Sequence, residues 1–443
     1  MKKYSLSALM AAGLLVGGLS AGSASAADLG GNCCADLEER IAELEATTAR
    51  KGNRKVSLTI SGWVGEQVVW WDNDNPNPLF DERNTYVGGL GTTLSSHFKF
   101  TGQATITPGW YAGYVLHVEV ITGDSLTQDE GISRGPALYG QLYGGRTFGP
   151  GVELLQSFWY FKSDHLGKLG VGLQSQASDN TAILVDGSGS LVPANWVAFE
   201  YRAFHLPSGN LIGLAACNGM GGVVGDCNGL TQNVVRYDSP TFGGFSVSAS
   251  WGEDDMWDVA ARYAGEWNGI KLAAAVAYNE VSSKQCNGFG DVDSPCNSAG
   301  GYNNLGDQET DYFQAGLYVE HVPTGVFGLV NYGKFDDNTS PLADVPEQDT
   351  WYFKAGLRER WTPLGHTVLY GEYETVSDAY QVEDGDFRLW GLGVVQEIDA
   401  AAMSVWVSYR NIEADDHDLD AQNDFGSSEA EFQYIKAGAL INF

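Results

Sequence analysis

Beyond its N-terminus this chain has no long apolar run, and its mean hydropathy is −0.18. A membrane-spanning helix needs about 20 consecutive apolar residues, so such helices are excluded. Strands that cross a bilayer are not excluded, because they alternate apolar and polar residues and their hydropathy averages out. Basic charge is scarce: 25 Lys and Arg stand against 56 Asp and Glu, a net charge of −31. That balance excludes a nucleic-acid binder driven by phosphate attraction. Charged residues of both signs make up only 18% of the chain, whereas aromatics reach 12% and glycines number 57. Disordered chains lack aromatics, so this composition points to an ordered fold.

The first 26 residues read as a leader: Lys2 and Lys3, the apolar run Ala8 to Leu19, then Ala24-Ser25-Ala26. A charged start, a short apolar core and an A-x-A site define a secretory signal peptide over 1–26. Its removal leaves 23 basic groups against 56 acids, about −33. Export places the mature chain in an oxidising compartment, where cysteines are disulfide candidates before they are metal ligands.

Residues 27–54 hold the one convincing helix. In DLEERIAELEATT, Asp36 to Thr48, the residues Leu37, Ile41 and Leu44 are spaced by four and three among glutamates, a short heptad seam. Two heptads are marginal as an independent coiled coil. The segment is a periplasmic coiled-coil-like helix and linker, or a single amphipathic helix lying on the periplasmic mouth of a barrel formed by the residues after it.

From Lys55 onward the period is two. Trp110, Ala112, Tyr114, Leu116, Val118 and Val120 alternate with Tyr111, Gly113, Val115, His117 and Glu119, giving one apolar and one mixed face. Connections alternate in length as well. Short turns such as Thr107-Pro108-Gly109, Asn268-Gly269, Pro323-Thr324-Gly325 and Pro363-Leu364-Gly365 suit hairpins. Long acidic segments rich in Gly, Asn and Asp lie between them at 72–92, 122–150, 177–231, 282–310, 336–349, 377–385 and 414–430. Short turns on one side and long loops on the other are the asymmetry of a transmembrane antiparallel β-barrel. Placing strands between these connections, from 56–71 and 93–106 through to 431–443, gives about 16, an even number. The chain stops at Phe443, with Ile435, Ala437, Ala439 and Ile441 on one face, as the last strand of such a barrel does.

These residues resemble the trimeric general porins of Gram-negative outer membranes, and in detail the porins of alphaproteobacteria. The segments that carry the resemblance are Cys33 to Arg40 with the helix after it, Lys55 to Trp63 (KVSLTISGW), Leu169 to Gln174 (LGVGLQ) and Val235 to Gly252 (VRYDSPTFGGFSVSASWG), the last being the most specific. The resemblance implies an all-β homotrimer of 16-stranded barrels over 55–443. It implies an external loop folded inward, here 177–231 after the fifth strand, as the pore constriction. It also implies contact with outer-membrane lipid and lipopolysaccharide, and a passive channel for small hydrophilic solutes and ions with no cofactor. A substrate-specific channel and a plugged structural or adhesin barrel are the rival readings.

Within the constriction segment Cys217 and Cys227 bracket a Gly-rich stretch, and Cys286 and Cys296 bracket another in a later loop. Each pair closes a short loop, which favours a local disulfide. Cys33 and Cys34 are neighbours that do not easily bond each other. An enzyme is not indicated: the seven histidines, His97, His117, His165, His205, His321, His366 and His417, are scattered, and no G-x-S-x-G, H-E-x-x-H or P-loop motif occurs. The acids Asp415, Asp416, Asp418, Asp420 and Asp424 lack the glycine and final glutamate of a calcium loop. They form a solvated acidic loop or hold Ca²⁺ or Mg²⁺ loosely against lipid phosphates, so no catalytic, cofactor or metal residue is assigned.

Strand parity points Lys99, Arg236, Arg262, Lys354 and Lys436 into the barrel, while the inserted loop offers Asp179, Asp186, Glu200 and Asp226. The family arrangement then implies loop acids facing wall bases across the opening, a transverse field at the narrowest point. A prediction attaches to the first cysteine pair, whose closure is worth roughly 2 to 3 kcal/mol in the chain-entropy model. Replacing Cys217 and Cys227 by Ser is expected to raise single-channel current noise while the barrel still folds. Unchanged noise would place this segment away from the conducting path.

Overall fold

Asn268 (φ +48) and Gly269 (φ +78) form a two-residue turn between strands Trp257–Trp267 and Ile270–Ser283. Only residues that tolerate positive φ at both positions make this turn, whose twist matches the flanking strands. The other described connections at this end run from two residues, as at Pro108-Gly109, to six, as between Asp238 and Phe245. The structure, a computed structural model, describes residues 56–74, 82–90, 94–121, 151–197, 204, 231–252, 255–283, 308–338, 346–379, 385–415 and 430–443. The leader, the 27–54 helix, Glu200, Asp226 and all six cysteines lie outside the described residues.

The strands are β1 Thr59–Asp74, β2 Glu82–Gly88, β3 Ser96–Thr107, β4 Trp110–Ile121, β5 Gly151–Ser163, β6 Gly167–Gln174, β7 Gln232–Asp238, β8 Phe245–Gly252 and β9 Trp257–Trp267. They continue as β10 Ile270–Ser283, β11 Gln308–His321, β12 Val326–Asp337, β13 Gln348–Thr362, β14 Gly365–Ser377, β15 Asp386–Ile398, β16 Met403–Asp415 and β17 Ala430–Asn442. All pair antiparallel with their neighbours, and β1 closes the ring on β17, with Trp63 opposite Asn442 and Asp74 opposite Glu431. β2 pairs with the far half of β1 and β3 with its near half, so the two share one position and the seventeen strands form a closed barrel of sixteen. Among the described residues no helix is long and apolar enough to cross a membrane.

The 72–92 segment is therefore not one external loop. β1 runs on to Asp74, and Glu82–Gly88 is a strand in register with it. The cluster Gly88-Gly89-Leu90-Gly91 hides that strand in the sequence, because it breaks the alternation where the chain leaves the sheet. Leu90 is only 2% exposed there. Gly65 on β1 makes room for it: a Cβ at that position would lie 2.5 Å from Leu90 Cδ1. Trp63 Nε1 donates to Leu94 O at 3.2 Å and Gln67 Nε2 to Gly89 O at 3.3 Å. Trp63, Gly65 and Gln67 share the inward row of β1, so this break folds against the inner wall.

Alternation sets the two faces. On β14, Leu369 and Tyr373 are exposed, whereas Val368, Tyr370, Glu372, Glu374 and Val376 are buried. Outward Trp110, Trp267, Trp361 and Phe443 lie exposed near the short-turn end, and Trp70, Trp251, Trp257, Trp351 and Trp390 nearer the other. Two aromatic girdles flanking an apolar band are what a bilayer with two interfaces selects. Leu369→Arg, in the outward band between Leu357 and Val394, is expected to cost about 2–4 kcal/mol, and Leu364→Arg in the adjoining turn about 0–1. Urea unfolding in lipid vesicles measures both, and equal costs would remove the depth dependence that a bilayer imposes.

Candidate functional site

After β6 the chain turns into the barrel rather than away from it. Residues 175–197 lie against the inward rows of the strands from β7 to β16, and their contacts define the site. Arg236 on β7 donates to the Ser175 and Gln176 carbonyls at 2.9 and 3.0 Å. The Ala177 amide donates to Ser250 Oγ on β8 at 2.9 Å, and the Ser178 amide to Asp258 Oδ2 on β9 at 2.6 Å. Arg262 on β9 reaches the Ala177 carbonyl and Thr181 Oγ1. Gln314 on β11 works in both senses, accepting from the Ala182 amide at 2.8 Å and donating to the Ser178 carbonyl at 3.0 Å.

Two buried ion pairs complete the attachment. Lys354 Nζ on β13 meets Asp186 Oδ2 at 2.5 Å and donates to the Ala194 carbonyl at 2.8 Å, and both charged side chains are shielded from solvent. Arg410 on β16 forms a fork with Glu372 on β14, both bonds 2.7 Å, and its Nη2 also donates to the Asn195 carbonyl at 2.6 Å. Tyr352 on β13 donates to the same Glu372 at 2.6 Å. Apolar packing fills the space between: Ile183, Val185, Leu191, Trp196 and Val197 cluster with Tyr318, Phe327, Tyr352, Val368, Tyr370 and Trp406 from the wall. Gly316 on β11 permits the approach, since a Cβ there would sit 2.6 Å from the Ala182 carbonyl oxygen. Further along, Phe204 packs edge-on against Trp71 at 4.7 Å and beside Phe432 at 4.4 Å.

The charges named from the sequence fall into three groups. Asp186 and Lys354 touch; Arg236 and Arg262 bind the segment's backbone; Asp179 lies within it, its Oδ1 accepting from Asn180 Nδ2 at 2.9 Å. Lys99 and Lys436 lie in inward rows elsewhere, Lys99 across from His117 and Lys436 with Nζ 5.8 Å from the Tyr434 ring centre. Glu200 and Asp226 are not among the described residues. One expectation changes in kind. A transverse field needs opposed charges across a gap, whereas Asp186 and Lys354 form a contact pair whose charges largely cancel.

Sequence reading missed Arg410, Glu372, Asp258 and Gln314. Each sits in an inward row, so parity alone would have flagged them; what parity does not give is the partners, which for Arg410, Asp258 and Gln314 include backbone groups of a distant segment.

A closed antiparallel barrel with an apolar exterior, aromatic girdles and charged inward rows is an outer-membrane type of barrel. The family model described as Gram-negative porin matches residues 6–439, and the chain belongs to that family. Among solved structures, a loop-deletion mutant of OmpT, an outer membrane protein of Vibrio cholerae, is similar with a TM-score of 0.51 and 13% identity, over 88% of this chain and 100% of that one. The outer membrane channel DcaP of Acinetobacter baumannii is similar with a TM-score of 0.52 and 10% identity, over 89% and 99%. No curated protein sequence matches. The protein is thus a multi-pass β-barrel of the outer membrane and an outer-membrane channel of the porin family.

Removing one partner of a buried ion pair leaves an uncompensated charge, a loss of about 3–5 kcal/mol. Lys354→Met is expected to destabilise the seated segment by that amount, whereas Lys354→Met with Asp186→Asn recovers a large part of it. A double-mutant cycle from urea midpoints reads the coupling; additive effects would mean that the pair does not hold the segment.

Proposed function

We propose that this barrel is a passive diffusion channel for small hydrophilic solutes and ions, with a preference for cations. The observation that carries the reading is the wet, charged part of the inner wall. Lys168, Arg236 and Asp238 are 34%, 19% and 20% exposed, and Arg358 with Glu397 on the far side 22% and 20%. These are inward-facing ions within a closed ring, so water reaches them through the lumen. Segment 175–197 acts as the constriction, fixed to the wall from β7 to β16, and solutes pass beside it. A water-filled passage with fixed charges selects by size and by sign. The chain does no catalysis in this reading and needs no cofactor. It assembles as a homotrimer among outer-membrane lipid and lipopolysaccharide.

The sign of selectivity follows from where charges are paired. On the described inner wall, bases and acids meet nearly one to one: Lys168 and Arg236 with Asp238, Lys271 with Glu320, Arg358 with Glu397, Arg410 with Glu372. The net charge of −31 therefore comes largely from elsewhere in the sequence, as in Asp416, Asp418, Asp420, Asp424 and Glu429 between β16 and β17. Acid gathered at a mouth raises the cation concentration there within a Debye length of about 10 Å at 0.1 M salt. Reversal potentials across a KCl gradient in planar bilayers are expected to give cation preference that weakens as salt rises. Anion preference at low salt would mean that wall bases dominate, and absence of conductance would favour a plugged barrel. Conductance blocked in a saturable way by one solute would favour a substrate-specific channel.

A further inference from the structure

Two histidines that no step of the conduction reading uses sit together on the inner wall. His97 on β3 and His117 on β4 face inward from neighbouring strands, with ring centres 4.3 Å apart. Trp63 also packs edge-on with His97, its ring centre 4.0 Å away. Both histidines are buried, His97 at 7% and His117 at 3% exposure.

Their hydrogen bonding is unequal. His97 Nδ1 lies 3.1 Å from the Ser95 carbonyl, and since a carbonyl only accepts, Nδ1 carries the proton and Nε2 holds the lone pair. A ring nitrogen fixed in this way by a backbone carbonyl is how ligating histidines are oriented. His117 has no hydrogen-bond partner at either ring nitrogen. Buried polar groups are ordinarily satisfied, so an imidazole without partners in edge-to-face contact with an imidazole that keeps a lone pair on Nε2 calls for an occupant. Glu119 lies directly across from His97 in register and two residues beyond His117 on the same row, at 2% exposure. Lys99 lies directly across from His117.

We propose that His97 and His117 bind one borderline divalent transition-metal ion from the lumen, with Zn²⁺ as the representative case. Imidazole suits zinc, copper and nickel, whereas magnesium and calcium prefer oxygen. Among the described residues no three histidine, cysteine or acidic side chains converge on one point. The two imidazoles are therefore the protein ligands, water fills the remaining positions, and Glu119 offsets the charge. Lys99 opposes it, which keeps the affinity modest and the ion exchangeable. A captured ion adds two positive charges to the wall of the passage.

The test uses the full-length mature protein refolded in detergent, with metal binding read directly so that the result does not depend on conduction. Equilibrium dialysis against ZnCl₂ is expected to give one zinc per chain, with a raised urea midpoint. His117→Phe, which keeps an aromatic ring at the buried position, and His97→Gln are each expected to weaken binding about tenfold or more, while His321→Gln, at a strand end, leaves it unchanged. Should either site variant fail to fold, X-ray absorption of the zinc-loaded native protein decides: two imidazole nitrogens around the metal uphold the site and none overturns it. No zinc bound by the native protein, equal binding by both site variants, or equal binding of MgCl₂ at the same positions would each overturn the proposal.

Discussion

Hydrocarbon offers no hydrogen bonds, and every feature of this chain derives from satisfying its backbone without them. A sheet with an edge leaves a row of amides and carbonyls exposed to lipid, at several kcal/mol each. The ladder between β1 and β17, continuous from Trp63 to Asp74, removes that edge. Closure in turn fixes the parity of every strand, because a shift by one residue would carry Lys354 to the lipid and Phe353 to the lumen. Outward Phe353 and inward Lys354 are adjacent in sequence and opposite in environment, one 43% exposed to the membrane face and the other 2% exposed within.

The lumen poses the reverse problem. Segment 175–197 is an irregular chain inside a barrel, and its backbone groups find no ladder there. The wall supplies partners from side chains: Ser250, Asp258, Gln314, Lys354 and Arg410 meet amides or carbonyls of the segment one by one. Such buried ions are stabilising only in company. Arg410 is tolerable because Glu372 and the Asn195 carbonyl accept its donors, while Tyr352 donates to the same carboxylate. The apolar cluster around Trp196 and Tyr318 then excludes water from the junction, which strengthens each polar contact.

The features legible in the sequence divide in the same way. Strand period, turn chemistry and the alternation of short and long connections are local properties, so the barrel, its sixteen positions and the side to which the termini return were readable from residues such as Asn268-Gly269 and Phe443. β2 was not, since its seven residues end in a glycine cluster that looks like a loop. The inward position of Lys354 and Arg262 was readable by parity. Their partners were not: Lys354 meets a residue 168 positions away and Arg410 a carbonyl 215 away. No local pattern encodes that separation; it exists only once the ring has closed and the segment has entered it.

This separation bears on how the passage gets its electrical character. Charges committed to holding the segment are paired at contact distance, and a contact pair presents a weak, short-range dipole to a passing ion. The more exposed ions of the short-turn end are paired as well, Lys168 and Arg236 with Asp238 and Arg358 with Glu397, so their dipoles are also short-ranged. Arg236 belongs to both sets, since it pairs with Asp238 and also holds the Ser175 and Gln176 carbonyls. Neutral replacement of a paired wall residue disturbs the seating of segment 175–197 first and the charge of the lumen second. The constraint that hydrocarbon imposes ends where the strands do, so the long connections are released from the alternation that fixes every wall residue.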